Sequence, residues 1–416
     1  MSTDIEQKPD RTFELHVKDL AFSVRRLLAE LATATGIDIS QPRSAARMLG
    51  IDKMLVWKMA KIATSSDPVA AMSTFPGTSA QRSLLQAFAK AGAPPSLLER
   101  ARAAFDEFQQ MVEQHADDRE TFEMMLSSLP HGGQPTGEES HRKLAFQGNS
   151  AIWGLHCRVR TCTYIITPSE DPEFGNLGIV GSFVDVRRLR RDVNWTLATI
   201  AALNSDGRPV ADNPIQPLFS GQTEFDGTPT LPEFCRGELP PIRRVLRPNG
   251  ITHYQLTEGA VGNSGAFTWS IGWRYPRVLP RWRTDFHRVN DFALHMLLPV
   301  ETAQLDVMVH KDFWPELRPN AAVFHLNPGD PPGSQDWTEQ QKVRAHICVE
   351  RLHEDPLDPV VHDVPGYARM LEAAFEAMGH RSVDFAGFRV RMKYPILSTE
   401  ICMRIDTPER PPSHGA

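Results

Sequence analysis

The chain lacks any long hydrophobic run, and this absence argues against a membrane span. No window approaches the roughly 18 uncharged apolar residues that a transmembrane helix requires. The first residues also lack the basic stretch followed by an apolar stretch that is typical of a secretory signal. Cysteine is scarce, with five widely spread residues, and this odd number is poor material for a disulfide framework. The sequence therefore predicts a soluble, cytoplasmic protein.

The chain also has little excess charge of either sign. Its 45 basic and 51 acidic residues leave a net charge of −6, so any contact with nucleic acid must come from a local basic patch. Proline is abundant, at 33 of 416 residues, where a share of roughly 5% is usual, and this favours short elements joined by turns. At roughly 100–200 residues per domain, the length predicts two or three domains.

Motifs for catalysis and cofactor binding are missing as well. The sequence contains no P-loop, no G-x-S-x-G elbow and no G-x-G-x-x-G at the start of a helix, so we predict no catalytic residue and no cofactor. Cys157 and Cys162 have the chemistry of metal ligands, but on a strand they would point to opposite faces. No metal site is predicted from the remaining candidate histidines, which lack a metal-binding spacing: His310, His325, His346 and His353.

Apolar residues recur at helical spacing through the first third of the chain. This pattern predicts helices over 19–35, 43–49, 53–62, 80–91, 96–115 and 119–129, within a helical domain spanning 1–128. Residues 129–140 lose the periodicity and concentrate Gly, Pro and Ser, which is typical of a linker.

Beyond the linker, residues 141–416 read as a sheet-rich α+β region with room for two subdomains. Short runs rich in β-branched and aromatic residues predict strands over 158–167, 177–187, 252–256, 266–273, 291–300, 304–310, 342–352, 388–394 and 399–405. Helices are expected only over 194–203 and 367–378. The predicted fold class is therefore an all-α N-terminal domain followed by a mainly antiparallel α+β region.

The segment from position 43 to 62 has the residue pattern of a helix-turn-helix. Such a motif needs a small residue where the helices cross, a turn residue that tolerates a positive φ, and apolar residues that bury the second helix on the first. Ala46 is the small residue and Gly50 is the turn residue. Leu49, Val56 and Met59 supply the buried apolar positions.

Over Asp19–Ala63 the sequence resembles the helix-turn-helix superfamily of bacterial DNA-binding regulators. The resemblance implies a trihelical unit whose third helix enters the major groove of double-stranded DNA. Local charge agrees, since positions 11–63 carry nine basic and five acidic residues, whereas 99–139 carry three basic and ten acidic ones. The candidate DNA-binding residues are Arg43, Arg47, Lys53, Met54, Trp57, Lys58 and Lys61.

Two readings of this trihelical unit remain open. The first is a DNA-binding transcriptional regulator, with a possible homodimer and a C-terminal region that senses a small-molecule or protein effector. The second is an interaction or assembly protein in which the unit is structural or docks another protein. The second gains support because the third helix lacks Arg, Asn or Gln for bidentate base contacts and carries apolar Met54, Leu55 and Trp57. A third reading, an unrecognised enzyme in residues 141–416, also stays open.

A second basic and aromatic run lies at 269–288. Alternating arginine and aromatic side chains can stack bases or hold an anionic ligand. A strand with its aromatic side chains in the core and its arginines in solvent produces the same alternation, and we retain that interpretation as well. The candidate patch comprises Trp273, Arg274, Arg277, Arg281, Trp282 and Arg283.

Overall fold

The computed structural model describes residues 12–116, 118–129, 138–200, 215–219, 229–247, 251–314, 316–326, 342–343, 345–352 and 357–411. Contacts divide the chain into two compact units, Met1–Glu138 and Glu139–Ala416, which we call the helical unit and the sheet unit. Residues 130–137 of the predicted linker lie outside the described residues, as does His353. None of the described helices combines the length and the apolar character needed to cross a membrane.

The described part of the helical unit contains seven α-helices, and all six helices predicted for this region are present. The structure adds the short α4 and starts α1 earlier than Asp19. The helices are α1 (Phe13–Thr35), α2 (Pro42–Leu49), α3 (Lys53–Thr64), α4 (Pro68–Ala71), α5 (Thr78–Lys90), α6 (Pro95–His115) and α7 (Arg119–Ser128).

One core holds these helices together, with α1 packed against α3, α4 and α6. Leu20, Val24 and Leu28 recur at helical spacing on α1 and are almost completely buried, which is the amphipathic pattern that the sequence predicts. Arg119 joins α7 to this core because its Nη2 donates to the carbonyl oxygens of Ser73 and Phe75, at 2.7 and 3.0 Å.

The sheet unit begins with a helix and continues mainly as strands, so the sheet-rich C-terminal region is confirmed. Its elements are α8 (Glu138–Trp153), β1 (Leu155–Pro168), β2 (Phe174–Arg188), β3 (Trp195–Ile200), β4 (Gln216–Pro217), β5 (Ile242–Leu246), β6 (Thr252–Leu256), β7 (Phe267–Pro280), β8 (Val289–His295), β9 (Val300–His310), β10 (Asn320–His325), β11 (Lys342–Val343), β12 (Glu350–Arg351), α9 (Tyr367–Ala377), β13 (Phe385–Lys393) and β14 (Thr399–Asp406).

The described strands form three sheets. The largest has the order β12-β13-β9-β1-β2-β7-β4, in which β1 and β9 are parallel and the other neighbours are antiparallel. Helix α9 shares a core with alternate side chains of this sheet, such as Val159 and Met308. The intervening side chains, such as Leu305 and Val307, share a second core with the sheet β11-β10-β14-β8. Strands β3, β6 and β5 form the third sheet.

Two secondary-structure predictions for this unit are wrong. The expected helix over 194–203 is strand β3 as far as Ile200, paired with β6, because its aromatic and β-branched side chains fit extended backbone better than a helix. Residues 201–203 lie outside the described residues. Of the expected strand over 342–352, the described residues form only the short β11 and β12, which lie at sheet edges and so have one neighbour each to pair with.

Four described elements of the sheet unit, α8, β4, β5 and β10, were not predicted. Helix α8 has weak hydrophobic periodicity because large apolar side chains such as Leu144 and Ile152 stay exposed, at 64% and 65%. Without a buried stripe, the sequence gives little signal for a helix.

Buried charges attach α9 to the largest sheet. Asp306 on β9 is completely buried and accepts hydrogen bonds from Nε and Nη2 of Arg389 on β13, at 3.0 and 2.7 Å. The same carboxylate accepts a 2.5 Å hydrogen bond from the hydroxyl of Tyr367, the first residue of α9. That hydroxyl also lies 2.6 Å from the hydroxyl of Thr163 on β1. These bonds compensate the desolvation of the carboxylate and set the position of the helix on the sheet.

Candidate nucleic-acid interface

Helices α2 and α3 are joined by a tight turn at Gly50. Gly50 has φ +65°, as its role in the sequence pattern predicts, and its N–H donates to the carbonyl of Ala46. The next helix starts at once because the side chain of Asp52 accepts the N–H groups of Met54 and Leu55, at 2.7 and 3.2 Å. Turn and cap together hold the two helices at a defined angle.

The inward side of this helix pair contains the residues that the sequence pattern assigns to it. Val56 and Met59 are each 1% exposed, and Leu49 and Ala46 are also buried. These four side chains belong to the same core as α1. Packing therefore determines which side of α3 faces outward.

The outward side forms a surface that we call the α2–α3 face: Arg43, Arg47, Lys53, Met54, Trp57 and Lys61, all of which are exposed. Among the described residues, no carboxylate forms an ion pair with its four cations. Nζ of Lys61 lies 5.5 Å from the centre of the Trp57 ring, so the indole and the ammonium group share one region of the surface. The face combines positive charge with an exposed aromatic ring.

Lys58 differs from the other candidate residues because it lies on the flank of α3. Its side chain is half-buried and lines a cavity of about 400 Å³. Glu113 on α6 and Glu123 on α7 line the same cavity. The positive charge of Lys58 therefore faces acidic side chains of the helical unit itself.

Large apolar side chains are also exposed on α2 and α3. Met48, Met54 and Trp57 are 60%, 57% and 43% exposed. Three such side chains on neighbouring turns give the surface an apolar component that phosphate binding alone does not require.

The structure does not gather the second candidate patch into one surface. Trp273 is buried in the core, and Arg277 is exposed within β7, with φ +50°, where the pairing of β7 with β2 has a register shift. Arg281 donates to the carbonyl of Asp312 at 2.6 Å and lies over the ring of Trp282, while Arg283 pairs with Glu409 at 3.7 Å. Arg274 lies beside Trp273 on β7 and is half-buried. The burial of Trp273 is the arrangement expected of a strand with its aromatic face in the core.

A cavity of about 200 Å³ lies inside the sheet unit and was not predicted from the sequence. Arg160 lines it together with Tyr164, Trp273 and Tyr275. The Arg160 guanidinium lies 4.0 Å from the centre of the Phe183 ring, and within the described part of the chain it forms no ion pair with a carboxylate. The walls of this cavity come from strands that are far apart in the sequence, so no local motif predicts the cavity.

A further cavity of about 220 Å³ lies at the start of α9. Ser182 and Ser270, whose hydroxyls are 2.8 Å apart, line it together with Arg158 and Arg236. Both cavities lie among described residues of the sheet unit and have room for a small ligand.

The described cysteines are all free thiols. Burial raises the pKa of Cys157 to about 12 and also raises the pKa of Cys162. Both side chains therefore stay protonated at neutral pH, whereas a nucleophile or metal ligand needs the thiolate.

Compared with known proteins, the chain matches no family model, and no curated protein is significantly similar to it.

Proposed function

We propose that the helical unit binds double-stranded DNA through the α2–α3 face, and that the protein is a transcriptional regulator. The observation that carries the proposal is the set of exposed cations on two helices joined by a tight turn, none of them paired with a carboxylate among the described residues. Unpaired cations on one face attract phosphate and gain affinity by releasing its counterions.

In this proposal α3 lies in the major groove. Arg43, Arg47, Lys53 and Lys61 contact phosphates, and Met54 and Trp57 make apolar contacts with base edges. The sheet unit then acts as the sensor, with its two cavities as candidate sites for an effector. An effector that binds one conformation of the sheet unit more tightly shifts the population, and in a homodimer this changes the spacing of the two recognition helices.

The test is a binding titration of the full chain against a fluorescent random duplex at several salt concentrations. We expect the affinity to fall steeply with salt, with a slope of about −0.9 for each phosphate contacted. Arg47→Glu combined with Lys61→Glu should reduce this slope by about two contacts and weaken binding by roughly tenfold or more. The matched control is Lys90→Glu with Arg102→Glu, the same change of charge at exposed positions of α5 and α6.

Lys58→Glu refines the same experiment. Because Lys58 lies on the flank near Glu113 and Glu123, its reversal should weaken DNA binding less than Lys61→Glu does. An equal or larger loss from Lys58→Glu would mean that α3 meets DNA through a different side. Unchanged binding in the Arg47/Lys61 double variant would refute the proposed interface.

The exposed apolar side chains favour a second candidate function, docking of a protein by the same face. This candidate predicts no salt-dependent binding to duplex DNA. If the docked protein is a second copy of this chain, light scattering should show a molecular mass that rises with protein concentration. The double variant Met48→Ser with Met54→Ser should abolish this rise.

A further inference from the structure

Two histidines and an aspartate meet at one end of the largest sheet. His310 is the last residue of β9, His380 follows α9, and Asp384 lies in the turn that leads into β13. Each offers one potential ligand atom, and these atoms lie within 4.8 Å of one another. His310 is only 8% exposed, and the other two side chains are half-buried.

Backbone contacts hold the three side chains together. His310 pairs with Phe385 in the ladder between β9 and β13, and the N–H of Lys311 donates to the carbonyl of Asp384 at 2.9 Å. The N–H of His380 donates to the carbonyl of Phe375 at the end of α9, also at 2.9 Å. The two imidazole rings stand edge to face, with their centres 4.5 Å apart. Little backbone movement is therefore needed to bring the ligand atoms closer.

The imidazole nitrogens of the cluster make few hydrogen bonds within the described part of the chain. Among the described residues, neither ring nitrogen of His380 makes a hydrogen bond, and His310 makes one only through Nδ1. Burial, together with the nearby His310, lowers the pKa of His380. Asp384 still accepts the N–H of Arg381 through one oxygen, at 2.8 Å, and its other oxygen remains for a ligand.

We propose that His310, His380 and Asp384 bind a divalent transition-metal ion, with Zn²⁺ as the best match. Imidazole nitrogen and carboxylate oxygen are common zinc ligands at about 2.0–2.2 Å, and three protein ligands leave a fourth position for water. Ligand atoms within 4.8 Å must close by on the order of 1 Å to reach tetrahedral contacts. The site is independent of the proposed DNA binding.

Asp312 is the positioning residue of this site. Its N–H donates to Nδ1 of His310 at 3.2 Å, which places the proton of the neutral ring on Nε2. A metal bound at Nε2 requires the ring proton on Nδ1, so the N–H of Asp312 must turn away from that nitrogen and the Asp312 carboxylate, 4.0 Å from it, must move closer to accept the proton. A carboxylate that holds the second nitrogen of a ligating histidine is a common feature of metal sites.

The test uses the full chain after treatment with a chelator and dialysis. Calorimetric titration with Zn²⁺ should show one ion per chain, and Co²⁺ should give the visible absorption of a four-coordinate site. We expect His380→Ala to lower the Zn²⁺ affinity by 100-fold or more and Asp312→Asn to lower it by roughly 10–100-fold. The matched control, His362→Ala, removes an exposed histidine outside the cluster and should change nothing.

Asp384→Asn provides a second variant that preserves the turn, since its amide oxygen still accepts the N–H of Arg381. It should also weaken Zn²⁺ binding, with an unchanged circular dichroism spectrum. The proposal is overturned if the wild-type chain binds no Zn²⁺ at millimolar concentration. It is equally overturned if His380→Ala and Asp384→Asn bind Zn²⁺ as tightly as the wild-type chain.

Discussion

Arginines on the strands of the sheet unit and cations on the α2–α3 face differ in their partners. In the sheet unit, arginines on the strands pair with carboxylates at short range: Arg389 with Asp306 at 2.7 Å, Arg391 with Asp363 at 2.7 Å, and Arg404 with Asp291 at 2.6 Å. On the α2–α3 face, no cation forms such a pair with a described residue. The first arrangement stabilises strand packing, whereas the second leaves charge available to a partner.

Because of this difference, substitutions at the two places should have different effects. A charge removed from a buried pair leaves its partner desolvated and alone, so the free energy of unfolding falls. A charge removed from an exposed surface changes stability little, because water already solvates it. Substitutions in the two units should therefore separate into effects on folding and effects on binding.

The largest effect is expected from Arg389→Met. This change leaves the completely buried Asp306 without its cation and should lower the free energy of unfolding of the sheet unit by about 3–5 kcal/mol. Urea unfolding followed by tryptophan fluorescence measures it, because seven of the eight tryptophans lie in the sheet unit.

Arg47→Met is the matched change on the α2–α3 face. We expect it to change the free energy of unfolding of the helical unit by no more than about 0.5 kcal/mol, and unfolding monitored by circular dichroism measures this change. Adding Asp306→Leu to Arg389→Met should recover part of the loss, since a buried pair replaced by apolar residues is often tolerated. Equal stability losses in Arg389→Met and Arg47→Met would remove the contrast between the units.

A medium effect is expected at the turn of the helical unit. Gly50 has φ +65° with no atom near the position of an added Cβ, so Gly50→Val should cost about 1–3 kcal/mol through backbone strain alone. Gly77→Val is the control, because Gly77 is equally open but has an extended backbone with φ −71°. Circular dichroism melts compare the two variants, and equal melting temperatures would show that no strained turn joins α2 and α3.

The sequence predicted this turn because the signal is local. Ala46, Gly50 and Val56 lie within three helical turns. Hydrophobic periodicity also predicted the limits of the other long helices of the helical unit to within two residues, except the start of α1, which is Phe13 and not Asp19. The inward positions of Val56 and Met59 followed from the same spacing. The physical reason is that helices bury one face through neighbours close in sequence.

The rest depends on contacts between residues distant in the chain. The parallel pairing of Cys157 on β1 with Val300 on β9 leaves no local mark, and neither does the cavity that Arg160 lines. The cluster of His310, His380 and Asp384 forms only when β9, α9 and β13 meet. The exposure of Trp57 likewise had to be read from the packed helices, because either side of a short helix is open to an aromatic residue.

The smallest effect on stability is expected from Trp57→Ala. Because the indole is 43% exposed, we expect a loss below about 1 kcal/mol, whereas Met59→Ala two residues away should cost about 2–5 kcal/mol for a side chain that is 1% exposed. DNA affinity should nevertheless fall in Trp57→Ala, with an unchanged salt slope, since the indole carries no charge. The Arg47/Lys61 reversal should change that slope, so the two variants separate the apolar contribution of the α2–α3 face from its electrostatic one. A loss of about 3–5 kcal/mol in the free energy of unfolding of Trp57→Ala would place the indole in the core. The cations would then be the remaining candidates for DNA contacts on the α2–α3 face.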